Sequence, residues 1–138
     1  MSQRTITLTT GWLHLPIRRD APGRYVRFEA DGETFTELYL LLSDAPDFYC
    51  PMNLTRYIGR QVTLVSDDMP QSLLDALLEG EAMSAHNPLY AGLYREALRP
   101  QYHFSSRRGW LNDPNGLFFD GSLYHLYYQH NPYATEHM

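Results

Sequence analysis

The stretch "RGWLNDPNGLFFDGSLYHLYYQHNP", Arg108 to Pro132, decides how the C-terminal third of this chain is read. Its second half is simple. "LFF", "DGS" and "LYHLYYQ" are two β-rich runs around an Asp120-Gly121 signal, the pattern of a hairpin. On the returning run Tyr124, Leu126 and Tyr128 alternate with His125, Tyr127 and Gln129, so Gln129 falls on the side away from the most apolar row. The first half is stranger. Pro114 pushes Asp113 out of the helical region, and Asn115-Gly116 predicts a turn directly after it. An acid held on a stiff, bent backbone is what a positioned carboxylate requires. Trp110 offers a flat apolar face nearby, and Asn112 an amide that both donates and accepts. From these residues alone a carbohydrate site and a plain Asp-Pro turn capping a hairpin both stand.

Working outward, the N-terminal two-thirds read as β. "RTITLTTGWLHLPI" (Arg4 to Ile17) and "RYVRFEA" (Arg24 to Ala30) interleave β-branched and aromatic residues with polar ones, and "RRDAPG" separates them. After the Asp31-Gly32 turn signal, "ETFTELYLLLS" puts Leu38, Leu40 and Leu42 on one face and Tyr39 and Leu41 on the other, which predicts a strand buried on both sides. "FYCPMNL" and "RQVTLVS" complete five short strands, an antiparallel sandwich by spacing. "PQSLLDALLEG" (Pro70 to Gly80) carries Leu73, Leu74, Leu77 and Leu78 at helical spacing with Gly80 as a stop. The expected organisation is a sandwich module over residues 1–80, a linker with one helical turn over 81–98, and a new element from Arg99 onward. Surface Tyr and Phe of such a module could stack on sugar rings, but the pattern reads more simply as aromatics of the core.

Composition narrows the classes. With 138 residues, 43% hydrophobic and 20% charged, the chain can bury a core. Its net charge is −5, from 16 acids against 11 Lys and Arg, and no basic run exists to neutralise phosphates, which argues against nucleic acid. No window approaches eighteen apolar residues, and "MSQRTITLTTGW" has no signal-peptide core, so a soluble, cytoplasmic protein without membrane association is expected. Cys50 is the sole cysteine, compatible with a reducing compartment. His125 and His130, an odd number apart, would face opposite sides of one strand, so no metal site is assigned. No glycine-rich phosphate loop is present, and no cofactor is expected.

The run "RPQYHFSSRRGWLNDPNGLFFDGSLYHLYYQHNPY" (Arg99 to Tyr133) resembles the opening of the catalytic domain of glycoside hydrolase family 32, the invertases, levanases and inulinases. It joins Arg-Pro-Gln-x-His-Phe, Trp-x-Asn-Asp-Pro-Asn-Gly and Tyr-Gln-x-Asn-Pro in the family's order and spacing. Leu111 stands where Met is frequent, a swap of similar apolar volume. The preceding module is similar, more loosely, to the extra N-terminal β module of some bacterial fructan hydrolases. The resemblance implies that Asp113 is the catalytic nucleophile, that Asn112 and Gln129 contact the fructosyl unit of sucrose, inulin or levan, and that Trp110 walls the pocket. It implies a fold class that is mainly β: an N-terminal antiparallel β-sandwich followed by the first strands of a five-bladed β-propeller, cut inside its first blade.

A retaining glycosidase of this kind needs two carboxyl groups roughly 5 Å apart. The family's acid/base Glu and its stabilising Asp belong to Glu-Cys and Arg-Asp-Pro segments that these 138 residues do not contain. Asp120 is committed to the hairpin turn and Glu136 sits in the tail, so neither is assigned. The expected outcome is a fragment inactive by itself whose exposed aromatic hairpin edge favours pairing with a second copy. The alternative is a non-catalytic β-sandwich module that binds fructan or pairs with another chain.

Overall fold

The computed structural model describes residues 1–84, 87–134 and 136. His86 and His137, two of the chain's six histidines, and Ala85 of the expected linker lie outside the described residues. The chain forms two compact units, Met1–Ala91 and Gly92–Met138.

In the first unit, β1 (Ser2–Thr7), β6 (Gln61–Ser66), β3 (Arg24–Ala30) and β4 (Glu33–Leu40) make one antiparallel sheet in that order. A second antiparallel sheet has the order β5 (Phe48–Asn53), β2 (Trp12–Ile17), β7 (Leu78–Gly80). The run Arg4 to Ile17 is therefore two strands in two sheets. It breaks at Gly11, whose φ of +74° suits glycine and whose missing Cβ leaves room for Thr55 and Ile58. The Asp31-Gly32 signal produces a two-residue hairpin turn with both φ positive (53° and 82°), closing on the Ala30–Glu33 pair. The Arg60 guanidinium pairs with the Asp31 carboxylate there.

Alternation selects the core. Val26, Phe28, Ala30, Leu40, Val62 and Leu64 are buried in the first sheet, and Leu13, Leu15, Ile17, Cys50 and Met52 in the second. β2 is buried on its other face too, through His14 and Pro16, because the 3-10 turn Pro88–Tyr90 brings Tyr90 against His14.

Two local expectations are corrected. The strand from Glu33 is not buried on both sides: Tyr39 and Glu37 are exposed, because β4 is the edge of its sheet with one face to solvent. The chain then leaves that sheet, and Leu42 makes a single bridge to Ile17 of the other. The helix expected over Pro70–Gly80 is only α1, Gln71–Asp75. Leu78–Gly80 pairs with Trp12–His14 instead, and the Glu79 carboxylate accepts hydrogen bonds from the backbone N–H and hydroxyl groups of Thr9 and Thr10. Burial pushes the Glu79 carboxyl up, but those hydrogen bonds hold it below its usual range. Tertiary pairing overrides a weak helical preference.

In the second unit, β8 (Trp110–Phe119) and β9 (Tyr124–Asn131) form an antiparallel hairpin. The Asp120-Gly121 bend is as expected: Asp120 Oδ1 accepts from the backbone N–H groups of Ser122 and Leu123 at 2.8 and 2.9 Å, and Gly121 has φ +102°. The turn expected at Asn115-Gly116 is absent. Both residues lie inside β8, which absorbs Pro114 and Gly116 through two register shifts rather than by turning.

Candidate active site

The first of two irregularities in β8 contains the candidate nucleophile. Leu111 pairs with His130 and Pro114 with Tyr128, so Asn112 and Asp113 together stand opposite Gln129 alone. Next, Pro114 pairs with Tyr128 and Gly116 with Tyr127, so Asn115 is a second extra residue. Each is a bulge, a device that bends a strand and re-aims a side chain. Pro114 makes this affordable, since a proline that cannot donate to the ladder belongs at such an interruption.

The bulge brings two of the predicted residues together. Asn112 Nδ2 donates to Gln129 Oε1 at 3.0 Å. That bond orients both amides, leaving Asn112 Oδ1 as an acceptor and Gln129 Nε2 as a donor that no described residue engages. Asp113 is exposed and its carboxylate makes no hydrogen bond or ion pair with a described residue. An unengaged carboxylate beside a fixed amide pair can accept hydrogen bonds from a polyol held by those amides. Trp110 is half-buried at the start of β8, paired with Asn131.

The base of the hairpin is fixed by contacts that residue types alone do not announce. His130 Nε2 donates to the Arg108 carbonyl at 2.6 Å. Gly109 has φ +78°, and a Cβ there would collide with the Asn131 carbonyl and Pro132. The only sequence signal for this closure is the glycine before Trp110. Upstream, Arg99 is bound by both Glu96 oxygens (2.6 and 3.0 Å), by Ser105 Oγ and by the Ser106 carbonyl, and hydrogen bonding to Arg99 holds the Glu96 carboxyl down at about 2. This loop frames a cleft of about 370 Å3 that runs from Glu96 past Arg99 and Arg108 to Leu111. None of Trp110, Asn112, Asp113 and Gln129 lines it.

Among the described residues of the hairpin the one other carboxyl group is that of Asp120. The Asp120 carboxyl is held well below the usual carboxylate range by its 2.8 Å contact with His125 and by the turn N–H groups. Seven residues along an extended strand place it on the order of 20 Å away. Among the described residues no group of three or more His, Cys, Asp or Glu is arranged to hold a metal ion, and no helix is long and apolar enough to cross a membrane.

Comparison with known proteins converges on this same segment. Residues 103–138 match the Glycosyl hydrolases family 32 N-terminal domain. An invertase from Schwanniomyces occidentalis is 59% identical over 39 residues, 27% of this chain and 7% of its own length. A levanase from Bacillus subtilis (strain 168) is 49% identical over 43 residues (31% and 6%), and an extracellular exo-inulinase from Aspergillus awamori is 49% identical over 47 (34% and 9%). In each case the alignment spans less than a tenth of the relative. No solved structure matches. Residues 103–138, which hold Trp110, Asn112, Asp113 and Gln129, are thus the part of the chain that is similar to glycosyl hydrolase family 32.

Proposed function

We propose that this chain is the N-terminal part of a retaining glycosidase that cleaves β-fructofuranosidic bonds in fructans or sucrose. The observation that carries the reading is the doubly bulged strand that sets an unengaged Asp113 beside the Asn112–Gln129 amide pair, inside the segment that matches family 32. Relatives named invertase, levanase and exo-inulinase support the substrate class. In this reading residues 1–80 are a β-sandwich module made of the two sheets, residues 81–98 a connector, and residues 99–138 the opening of a β-propeller. The compartment proposed is the cytoplasm.

Asp113 attacks the anomeric carbon of the fructosyl unit while the bond to the leaving oxygen breaks, and water then hydrolyses the ester. Asn112 Oδ1 and Gln129 Nε2 hold sugar hydroxyls, and Trp110 contacts the ring's C–H surface. The proton for the leaving oxygen comes from an acid outside these residues. In the full-length parent, Asp113→Asn should preserve folding and lower kcat by roughly 10³-fold or more, because only binding and polar stabilisation remain. Near-normal release of fructose from sucrose or inulin by that variant would remove Asp113 from the role.

A further inference from the structure

The solvent face of the four-stranded sheet carries an aromatic corner that the hairpin site does not use. Tyr25 and Tyr39 are directly opposite on β3 and β4, with ring centroids 5.1 Å apart at an interplanar angle of 61°. They are 61% and 39% exposed, although aromatic side chains are usually among the better buried. Gly23 seats the second ring, since a Cβ there would collide with it. Neither tyrosine hydroxyl hydrogen-bonds to a described residue, and neither does the carboxylate of exposed Glu37, which stands opposite Arg27 next along the same face. Arg27 is held 3.3 Å from Asp67 and 3.9 Å from Glu29, and Glu29 pairs with Thr63. From Tyr25 to Glu29 this strip runs about 13 Å along the strand.

We infer that this face is a second, non-catalytic binding site for a β-fructan chain. The chemistry on it is that of a polyol site. Two rings set at an angle offer apolar surface to the C–H sides of a puckered furanose ring, while two hydroxyls, a carboxylate and a guanidinium supply donors and acceptors for its hydroxyl groups. Charge narrows the class of ligand: one guanidinium against the carboxylates of Glu29, Glu37 and Asp67 repels polyanions, in accord with a neutral polysaccharide. The assignment to fructan within that class rests on the proposed function of the hairpin. A cross-strand tyrosine pair does stabilise a sheet, but that role needs no unbonded hydroxyls ranged with a free carboxylate on one open face.

The test is native affinity electrophoresis of the 138-residue chain through gels containing inulin, levan, dextran or xylan. Inulin or levan should retard it, and Tyr25→Ala should weaken the retardation at least fivefold with an unchanged far-UV circular dichroism spectrum. Tyr25 is the better substitution because no glycine packs against it. Glu37→Gln, on an exposed side chain without a partner, provides a second variant and should also weaken it. Retardation of the chain reports on this surface and fructose release by the full-length parent reports on the hairpin, so the face can fail while Asp113 remains the nucleophile, and the reverse. The inference is overturned if neither fructan retards the chain, if only dextran or xylan does, or if both Tyr25→Ala and Glu37→Gln migrate as the unsubstituted chain.

Discussion

Gln129 gains its partner from a backbone irregularity rather than from its place in an alternating run. Alternation along β9 makes it legible as a residue on the less apolar side, but that it faces Asn112 follows only from the extra residue that Pro114 and Asp113 force into β8. In the proposed parent enzyme, Gln129→Ala should lower kcat/KM by about fivefold or more, for in that reading it removes a direct donor and frees the Asn112 amide, each hydrogen bond contributing about 1 kcal/mol. Trp110→Ala should reduce it through lost ring contact. Unchanged kcat/KM in both variants would leave the hairpin a structural element only. His14 makes a different argument. It is fully buried, with Nδ1 2.6 Å from Tyr90 Oη, and Nε2 has no partner of normal hydrogen-bond geometry. Burial lowers its pKa, and the Glu81 backbone only partly opposes this. The folded value therefore lies below the unfolded one of about 6.5, so protons favour the unfolded chain and stability is lost as pH falls through that value. The urea midpoint of the chain should drop between pH 7.5 and 5.5. In His14→Phe the drop should be smaller, and an equal one would dismiss His14 as its source.

At the scale of elements, period-two alternation and turn chemistry make most of the strands readable. The Asp31-Gly32 and Asp120-Gly121 hairpins are signalled by side chains that tolerate or require positive φ, and both form where that signal stands. The segments that mislead are those whose state is decided at long range. Leu73, Leu74, Leu77 and Leu78 satisfy helical spacing, yet the last turn is diverted because β2 offers a free edge and Thr9 and Thr10 offer donors to Glu79. Asn115-Gly116 is a strong local turn signal that two bulges absorb, because β9 pairs on both sides of it. The closure of the hairpin at Gly109 is the feature most sensitive to one atom. Gly109→Ala adds a Cβ at φ +78° against the Asn131 carbonyl, which should destabilise the hairpin by more than about 1 kcal/mol. Amide exchange across β8 and β9 should then speed up while β3 and β6 keep their protection. Uniform protection in both sheets would show that the closure contributes little.

The whole chain has its buried side chains concentrated in one unit. Nearly all fully buried large residues, Phe28, Leu15 and Leu64 among them, belong to Met1–Ala91, whereas in the hairpin Leu117, Phe118, Tyr124 and Tyr127 are 60–74% exposed. Residues 1–138 should accordingly unfold with the cooperativity of the first unit, and the hairpin should open at lower cost. They should also fail to release fructose. A retaining hydrolysis requires an acid within roughly 5 Å of the nucleophile, and acid catalysis contributes about 10² to 10⁴-fold. Asp120, the other acid of the hairpin, lies about a strand's length away and its carboxylate is engaged by His125 and the turn. Asp113, in its proposed role and without such a partner, would leave the glycosidic oxygen to depart as an alkoxide. Incubating the pure 138-residue chain with sucrose, inulin and levan should give no fructose above the Asp113→Asn control. Turnover that this substitution abolishes would mean that a carboxyl group of this chain reaches Asp113 in solution.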